Sequence, residues 1–174
     1  MMQDRFGSHI VMGAADWDGV EKTPTMPGGA PKRDIVVSGE QPLTLGDTTV
    51  RIIPTPGHTL GTLSLIFPVT DHGRKLTVAY SGGTAFNFAH TAERFDTYIA
   101  SQQKFARAAA DAKATVALSN HSVFDHALEK AVISQKPRAA GQPHPFEVGA
   151  AGVAGYIKTL EECAVAVRIK EFGR

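Results

Sequence analysis

A single cysteine, Cys163, among 174 residues excludes an internal disulfide framework and any cysteine-rich zinc module. An excess of one charge is missing too: 18 Lys and Arg against 17 Asp and Glu leave a net charge of +1, with no basic block. Nucleic acid is therefore not expected as a partner, because phosphate binding needs clustered Lys and Arg. No apolar run approaches the roughly 20 residues of a bilayer span, so no membrane contact is predicted. The opening residues MMQDRFGSHIVMGAADWD place Asp4 and Arg5 ahead of any apolar region, which is not the order of a signal peptide. Read as it stands, the chain is expected to be cytoplasmic; a lost export signal upstream stays open.

What is present is globular in character. Apolar residues make up 43% and charged residues 20%, which favours neither disorder nor a coiled coil. The length suffices for one domain, 1–174, with a core of its own. No internal repeat or low-complexity tract occurs. SHIVMGA (8–14) has a strand-like centre, and Asp16 is placed to cap a helical turn through Trp17 and Val20. TPTMPGGAP (23–31) reads as loop. Four short strands follow: RDIVVS (33–38), TTVRIIP (48–54), TLSLIF (62–67) and LTVAYS (76–81), with turns at 45–47 and 71–75. Their close spacing predicts antiparallel pairing. In TLSLIF, Leu63, Leu65 and Phe67 share one face, and Thr62, Ser64 and Ile66 the other.

The period then changes. Phe95, Tyr98, Ile99, Phe105, Ala106 and Ala109 recur at helical spacing across 91–111, with Thr91 as the N-cap. TVALS (115–119) reads as a buried strand left by NHSVFD (120–125), and 134–152 as loop. Val153, Ile157, Leu160, Ala164 and Val167 stripe a last helix over 153–169. The expected class is α+β, helices packed on a largely antiparallel or mixed sheet.

Two of the seven histidines stand out by position. His58 follows Pro56-Gly57 in the turn of TPGHTLGTLS (55–64), and His121 follows the strand TVALS. Strand ends can converge at one sheet edge, where sites are built. Neutral imidazole is the commonest protein ligand for zinc, and a neighbour holding its other nitrogen would orient it. Thr59, Ser119 and Asn120 are candidates for supporting hydrogen bonds. The plainer alternative is that a histidine after a turn is a surface or capping residue. For His72, His90, His126 and His144, solvent exposure is expected; His126 keeps some interest because it follows His121 closely. SGGTAFNF (81–88) is glycine-rich but lacks the Gly-Lys-Ser/Thr of a phosphate loop. Cys163 and Trp17 read as packing residues. No Ser-His-Asp set can be named, so catalytic residues stay unknown at this stage.

TPGHTLGTLSLIF resembles the Pro-Gly-His-Thr-x-Gly segment of the metallo-β-lactamase superfamily, and LSNHSVFD the segment carrying that family's last histidine. AADWD, RDIVV, LTLGDTTVRIIPTPGHT and SGGTAFNF resemble, in order, stretches of the branch whose first zinc site is all histidine. The resemblance covers nearly the whole chain. It implies an αββα sandwich with zinc at the edge between the halves, His58 matching the third histidine of the first zinc and His121 the histidine of the second. It also implies hydrolysis of a small-molecule β-lactam, lactone or thioester-type carbonyl.

Two departures go with it. The family's His-x-His-x-Asp-His, which should precede RFGSHIVMGAADWD, occurs nowhere in this sequence, and Gly82-Gly83 stands where some relatives carry a bridging aspartate. The chain is thus expected to be an incomplete αββα sandwich, truncated at its N-terminus and offering one histidine per metal. Zinc would bind firmly only in a completed site, and the isolated chain would be inactive or nearly so. The uncovered face of the sheet is expected to be met by self-association, as a homo-oligomer, or by the missing N-terminal half. The alternative is a non-catalytic fragment or pseudoenzyme acting through such association.

Overall fold

The computed structural model describes residues 2–23 and 29–173. The loop expected at 23–31 therefore lies mostly outside the described residues. In chain order the elements are α1 (Met2–Phe6), β1 (Val11–Gly13), α2 (Ala14–Glu21), β2 (Ile35–Val37), β3 (Gln41–Leu45), β4 (Thr48–Pro54), β5 (Leu63–Asp71), β6 (Arg74–Ser81), α3 (Ala92–Asp111), β7 (Val116–Ser119), α4 (Ser122–Asp125), α5 (Ala127–Ser134) and α6 (Gly149–Phe172). The class is α+β, as expected.

The strands divide between two sheets. β3-β4-β5-β6 pair antiparallel in sequence order, and β7 joins β6 in parallel across the α3 crossover. The expected strand at 33–38 does not join this sheet. It shortens to β2 and pairs in parallel with β1 as a separate two-stranded sheet. Three strands separated by short turns can fold back on one another, and β3 fills the place that β2 was expected to take.

One face of the five-stranded sheet is sealed by α3 and α6. Ile53, Ile66, Ala79 and Ala117 pack there against Phe105, Ala109, Val153 and Ile157. The alternation of the pleat sends the neighbouring residues to the opposite face, where Phe67, Val69, Leu76, Val78, Val116 and Leu118 meet Phe146 of the 135–148 loop. Arg138 and Arg74 tie that loop to the β5–β6 hairpin, donating to Asp71 and Glu147 respectively. The Arg138 guanidinium is the chief reason that the Asp71 carboxyl is held well below the usual carboxylate range.

Some local expectations are corrected. α6 begins at Gly149 and runs to Phe172, longer at both ends than 153–169. Its buried stripe is Val153, Ile157, Leu160 and Ala164; Cys163 is exposed and not part of it. Trp17 is buried, as expected of a core anchor. Thr91 caps α3, accepting from Arg94 N at 3.1 Å. Asp16 does not cap α2, whose N-cap position is Gly13; its carboxylate is used elsewhere.

Candidate metal centre

The topology decides where the site can be. β4, β6 and β7 run in the same direction, so their C-terminal ends share one edge of the sheet. The turn carrying His58 leaves β4, the 82–85 segment leaves β6, and His121 follows β7. Side chains 63 residues apart in sequence are thereby brought together, and the imidazole centroids of His58 and His121 lie 6.2 Å apart at an interplanar angle of 73°.

The His58 turn is held by backbone chemistry. Thr55 N donates to Thr62 O at 2.9 Å, and Gly57 N to Thr59 O at 2.8 Å. Gly57 has φ +148, and a Cβ there would lie 2.8 Å from Tyr98 of α3; glycine alone satisfies both conditions. Three α3 side chains bond carbonyls of this stretch. Lys104 Nζ donates to Pro54 O at 3.1 Å, Ser101 Oγ to Pro56 O at 2.6 Å, and Arg94 Nε to Gly57 O at 2.7 Å. Arg94 Nη2 also donates to His58 O at 3.2 Å. From the other side, Asp16 accepts from Thr59 Oγ1 at 2.6 Å and from Gly61 N at 2.9 Å.

The imidazole itself is fixed by one bond. His58 Nδ1 lies 2.9 Å from Ala85 O. A carbonyl can only accept, so Nδ1 carries the proton and the lone pair of the neutral ring sits on Nε2. A Cβ on Gly83 would approach His58 Cβ to 2.6 Å, which leaves no room for the carboxylate that some relatives place near here.

His121 is held by its own surroundings. Its backbone N donates to Ser119 Oγ at 3.0 Å. Buried Asp125 accepts from Ser119 N at 2.8 Å and Ala127 N at 2.9 Å, closing the turn between β7 and α5. Buried Thr84 donates to Asn120 Oδ1 at 2.8 Å and pairs with Ser119 Oγ at 3.1 Å. Beneath them lies Tyr156, whose hydroxyl is pushed up to about 12 by burial. His121 Nε2 is buried with no hydrogen-bond partner among the described residues. A buried nitrogen without a partner is costly, and a bound cation is one thing that would satisfy it.

Of the sequence candidates, His58, Thr59 and Asn120 line one hollow of about 300 Å³, together with Met12, Gly13 and Asp16. Thr59, Ser119 and Asn120 bond to Asp16, to the His121 backbone and to Thr84, and the ring contact of His58 comes from the Ala85 carbonyl instead. Asp16, read from the sequence only as a helix cap, and Arg94, Thr84 and Asp125 were not foreseen as supports of the site. Asp16, Thr84 and Asp125 lay inside quoted segments, but the partners of Asp16, Thr84 and Arg94 are 35 to 45 positions away, too far for spacing to reveal. His72 and His126 are exposed, as expected. His90 is exposed as well, as expected, and is bonded to Glu171 at 2.8 Å and to Phe86 O at 3.1 Å.

Each histidine, with one nitrogen uncommitted, fits zinc ligation. Together they fall short of a full site, since catalytic zinc takes three protein ligands per ion, and no cluster of three or more His, Cys, Asp or Glu suited to a metal occurs among the described residues.

No protein-family model and no curated protein matches the sequence. Solved structures do match. The subclass B3 metallo-β-lactamase BJP-1 of Bradyrhizobium japonicum is 24% identical, with a TM-score of 0.74 over 97% of this chain and 67% of its own. FEZ-1 from Legionella gormanii is 18% identical, with a TM-score of 0.80 over 98% of this chain and 68% of its own. The class B3 di-zinc enzyme LRA-12 from an Alaskan soil metagenome is 16% identical, with a TM-score of 0.67 over 95% and 65%. The chain therefore has the metallo-β-lactamase fold and spans about two thirds of these neighbours' length, consistent with the C-terminal part of that fold.

Proposed function

We propose that this chain is the C-terminal part of a zinc-dependent hydrolase acting on a β-lactam, lactone or thioester-type carbonyl, with His58 and His121 as zinc ligands on different ions. The observation that carries this reading is the pair of imidazoles 6.2 Å apart, one ring with Nδ1 committed to a carbonyl and the other with a buried Nε2 lacking a partner among the described residues. Ser119 and Asn120 hold the His121 turn, and Thr59 holds the turn of His58. Bound zinc would supply Lewis acidity and bring the pKa of a water toward about 7, where it is a nucleophile at neutral pH. The remaining donors come from a missing N-terminal half or a second polypeptide, and the isolated chain is inactive.

Zinc stoichiometry tests this directly. The isolated chain at micromolar zinc is expected to retain less than about a tenth of an equivalent, since two separate imidazoles do not make a three-ligand site. Mixed with a polypeptide carrying His-x-His-x-Asp-His on the matching strands, it should take up zinc and gain hydrolysis, both lost in H58A and in H121A. Uptake indifferent to both substitutions would end the proposal.

One observation favours a second reading, a non-catalytic fragment acting through association. Val123, Leu128 and Val132 of α4 and α5, the helices that follow His121, are 75%, 73% and 60% exposed. Light scattering separates the cases: a clean monomer that also ignores the donor polypeptide counts against association.

A further inference from the structure

His58 depends on one hydrogen bond for its ring orientation, and that bond depends on where the turn sits. At 2.9 Å the Nδ1 contact with Ala85 O has about 0.6 Å to spare before it ceases to be a hydrogen bond. Histidine χ2 is broad, so nothing inside the side chain prevents a flip once the contact is gone. The turn itself is glycine-rich and lies outside the strands, hence the backbone must be held from elsewhere.

Two charged side chains do this from opposite helices. Asp16, in the first turn of α2, bonds the Thr59 hydroxyl at 2.6 Å and the Gly61 amide at 2.9 Å. Arg94, in the first turn of α3, bonds the carbonyls of Gly57 at 2.7 Å and His58 at 3.2 Å. All four bonds are charge-assisted and fall within three residues of the imidazole on either side. Space closes around them: a Cβ on Gly61 would meet the Asp16 carboxylate at 2.6 Å, and one on Gly13 the Gly61 carbonyl at 2.1 Å. Inside the turn, Thr59 N also donates to Thr62 Oγ1 at 2.8 Å.

We propose that Asp16 and Arg94 are positioning residues for His58, gripping the backbone on both sides of it so that Nδ1–H stays on the Ala85 carbonyl and Nε2 stays the unprotonated nitrogen. The metal meaning of this rests on the zinc reading above; the tautomer does not. The partner of a metal-binding histidine's other ring nitrogen, here the Ala85 carbonyl, is worth about 10–100-fold in metal affinity, and Asp16 and Arg94 act through it.

The test is the 15N spectrum of the histidine side chains in the zinc-free chain, where protonated and unprotonated ring nitrogens resonate far apart. Wild type is expected to show His58 as a single Nδ1–H tautomer. D16N and R94A should turn it into a mixture. T59V removes one bond without touching either charge and should give part of the same change, which T59S reverses. Buried Trp17 beside Asp16 reports by fluorescence that each variant is folded. Folded D16N and R94A with the wild-type His58 pattern would overturn the proposal, leaving Asp16 as a mere anchor of the N-terminal segment. Zinc that fails to shift the His58 signals even beside the donor polypeptide would sink the hydrolase reading and leave the positioning intact.

Discussion

At the residue scale, glycine does opposite work in two places. Gly57 combines φ +148 with a Cβ position 2.8 Å from Tyr98, so G57A strains the backbone and pushes the turn off α3. A loss of about 2–3 kcal/mol is expected. Gly155 sits in the exposed interior of α6 with nothing within 4 Å of its Cβ position. G155A should therefore gain about 0.5–1 kcal/mol from helix propensity alone. Thermal unfolding of both variants checks the pair: at roughly 2–4 °C per kcal/mol for a chain this size, the midpoints move in opposite directions. Pro56-Gly57-His58 was legible in the sequence because a turn with special residues can be seen in one line of text. Asp16 and Arg94 were not, because their partners lie 43 to 45 and 36 to 37 positions away, and only folding brings them to the same turn.

At the element scale, α6 is fixed to the body by its buried stripe and, at its far end, by an ion pair. His90 bonds Glu171 through Nδ1 and the Phe86 carbonyl through Nε2, beside Phe95, which also meets Phe172. The carbonyl first, and Glu171 second, raise the His90 pKa above its ordinary value, since both nitrogens donate only in the charged ring. A raised value means stability that is complete below the unfolded pKa of about 6.5 and fades as pH climbs through the higher folded value. Amide exchange at 168–173, corrected for its intrinsic pH dependence, should thus show weaker protection above neutrality than near pH 6. H90Q should remove that difference while leaving protection at 153–164 unchanged. The helices α3 and α6 could be foreseen because a 3.6-residue stripe is written along a single element. Sheet membership could not: β2 had every local mark of a strand, yet a parallel pairing with β1 is a relation between segments separated by more than twenty residues.

At the scale of the whole molecule, the five-stranded sheet has two apolar faces, and among the described residues α3 and α6 cover just one of them. Ile66 and Phe67, adjacent on β5, look in opposite directions. The sequence showed this alternation, though not which face the helices would take; they take the one carrying Ile66, Ala79 and Ala117. Among the described residues, the other face receives Phe146 and its loop, held by Arg138 on Asp71 and Arg74 on Glu147. A lysine at position 66 would bury a charge among Phe105, Val153 and Ile157, at a cost on the order of 4 kcal/mol or more, and I66K should fail to fold cooperatively. A lysine one residue later can run its stem along the half-open face and keep its ammonium in water. F67K should therefore stay folded by circular dichroism. If a second copy or a completing polypeptide covers that face, the same substitution abolishes the association, read as a fall to monomer mass in light scattering and as lost pull-down by the donor polypeptide. Association that survives F67K at full strength would mean that the face is not where the partner sits, and would move attention to the exposed apolar residues of α4 and α5, the helices that follow His121.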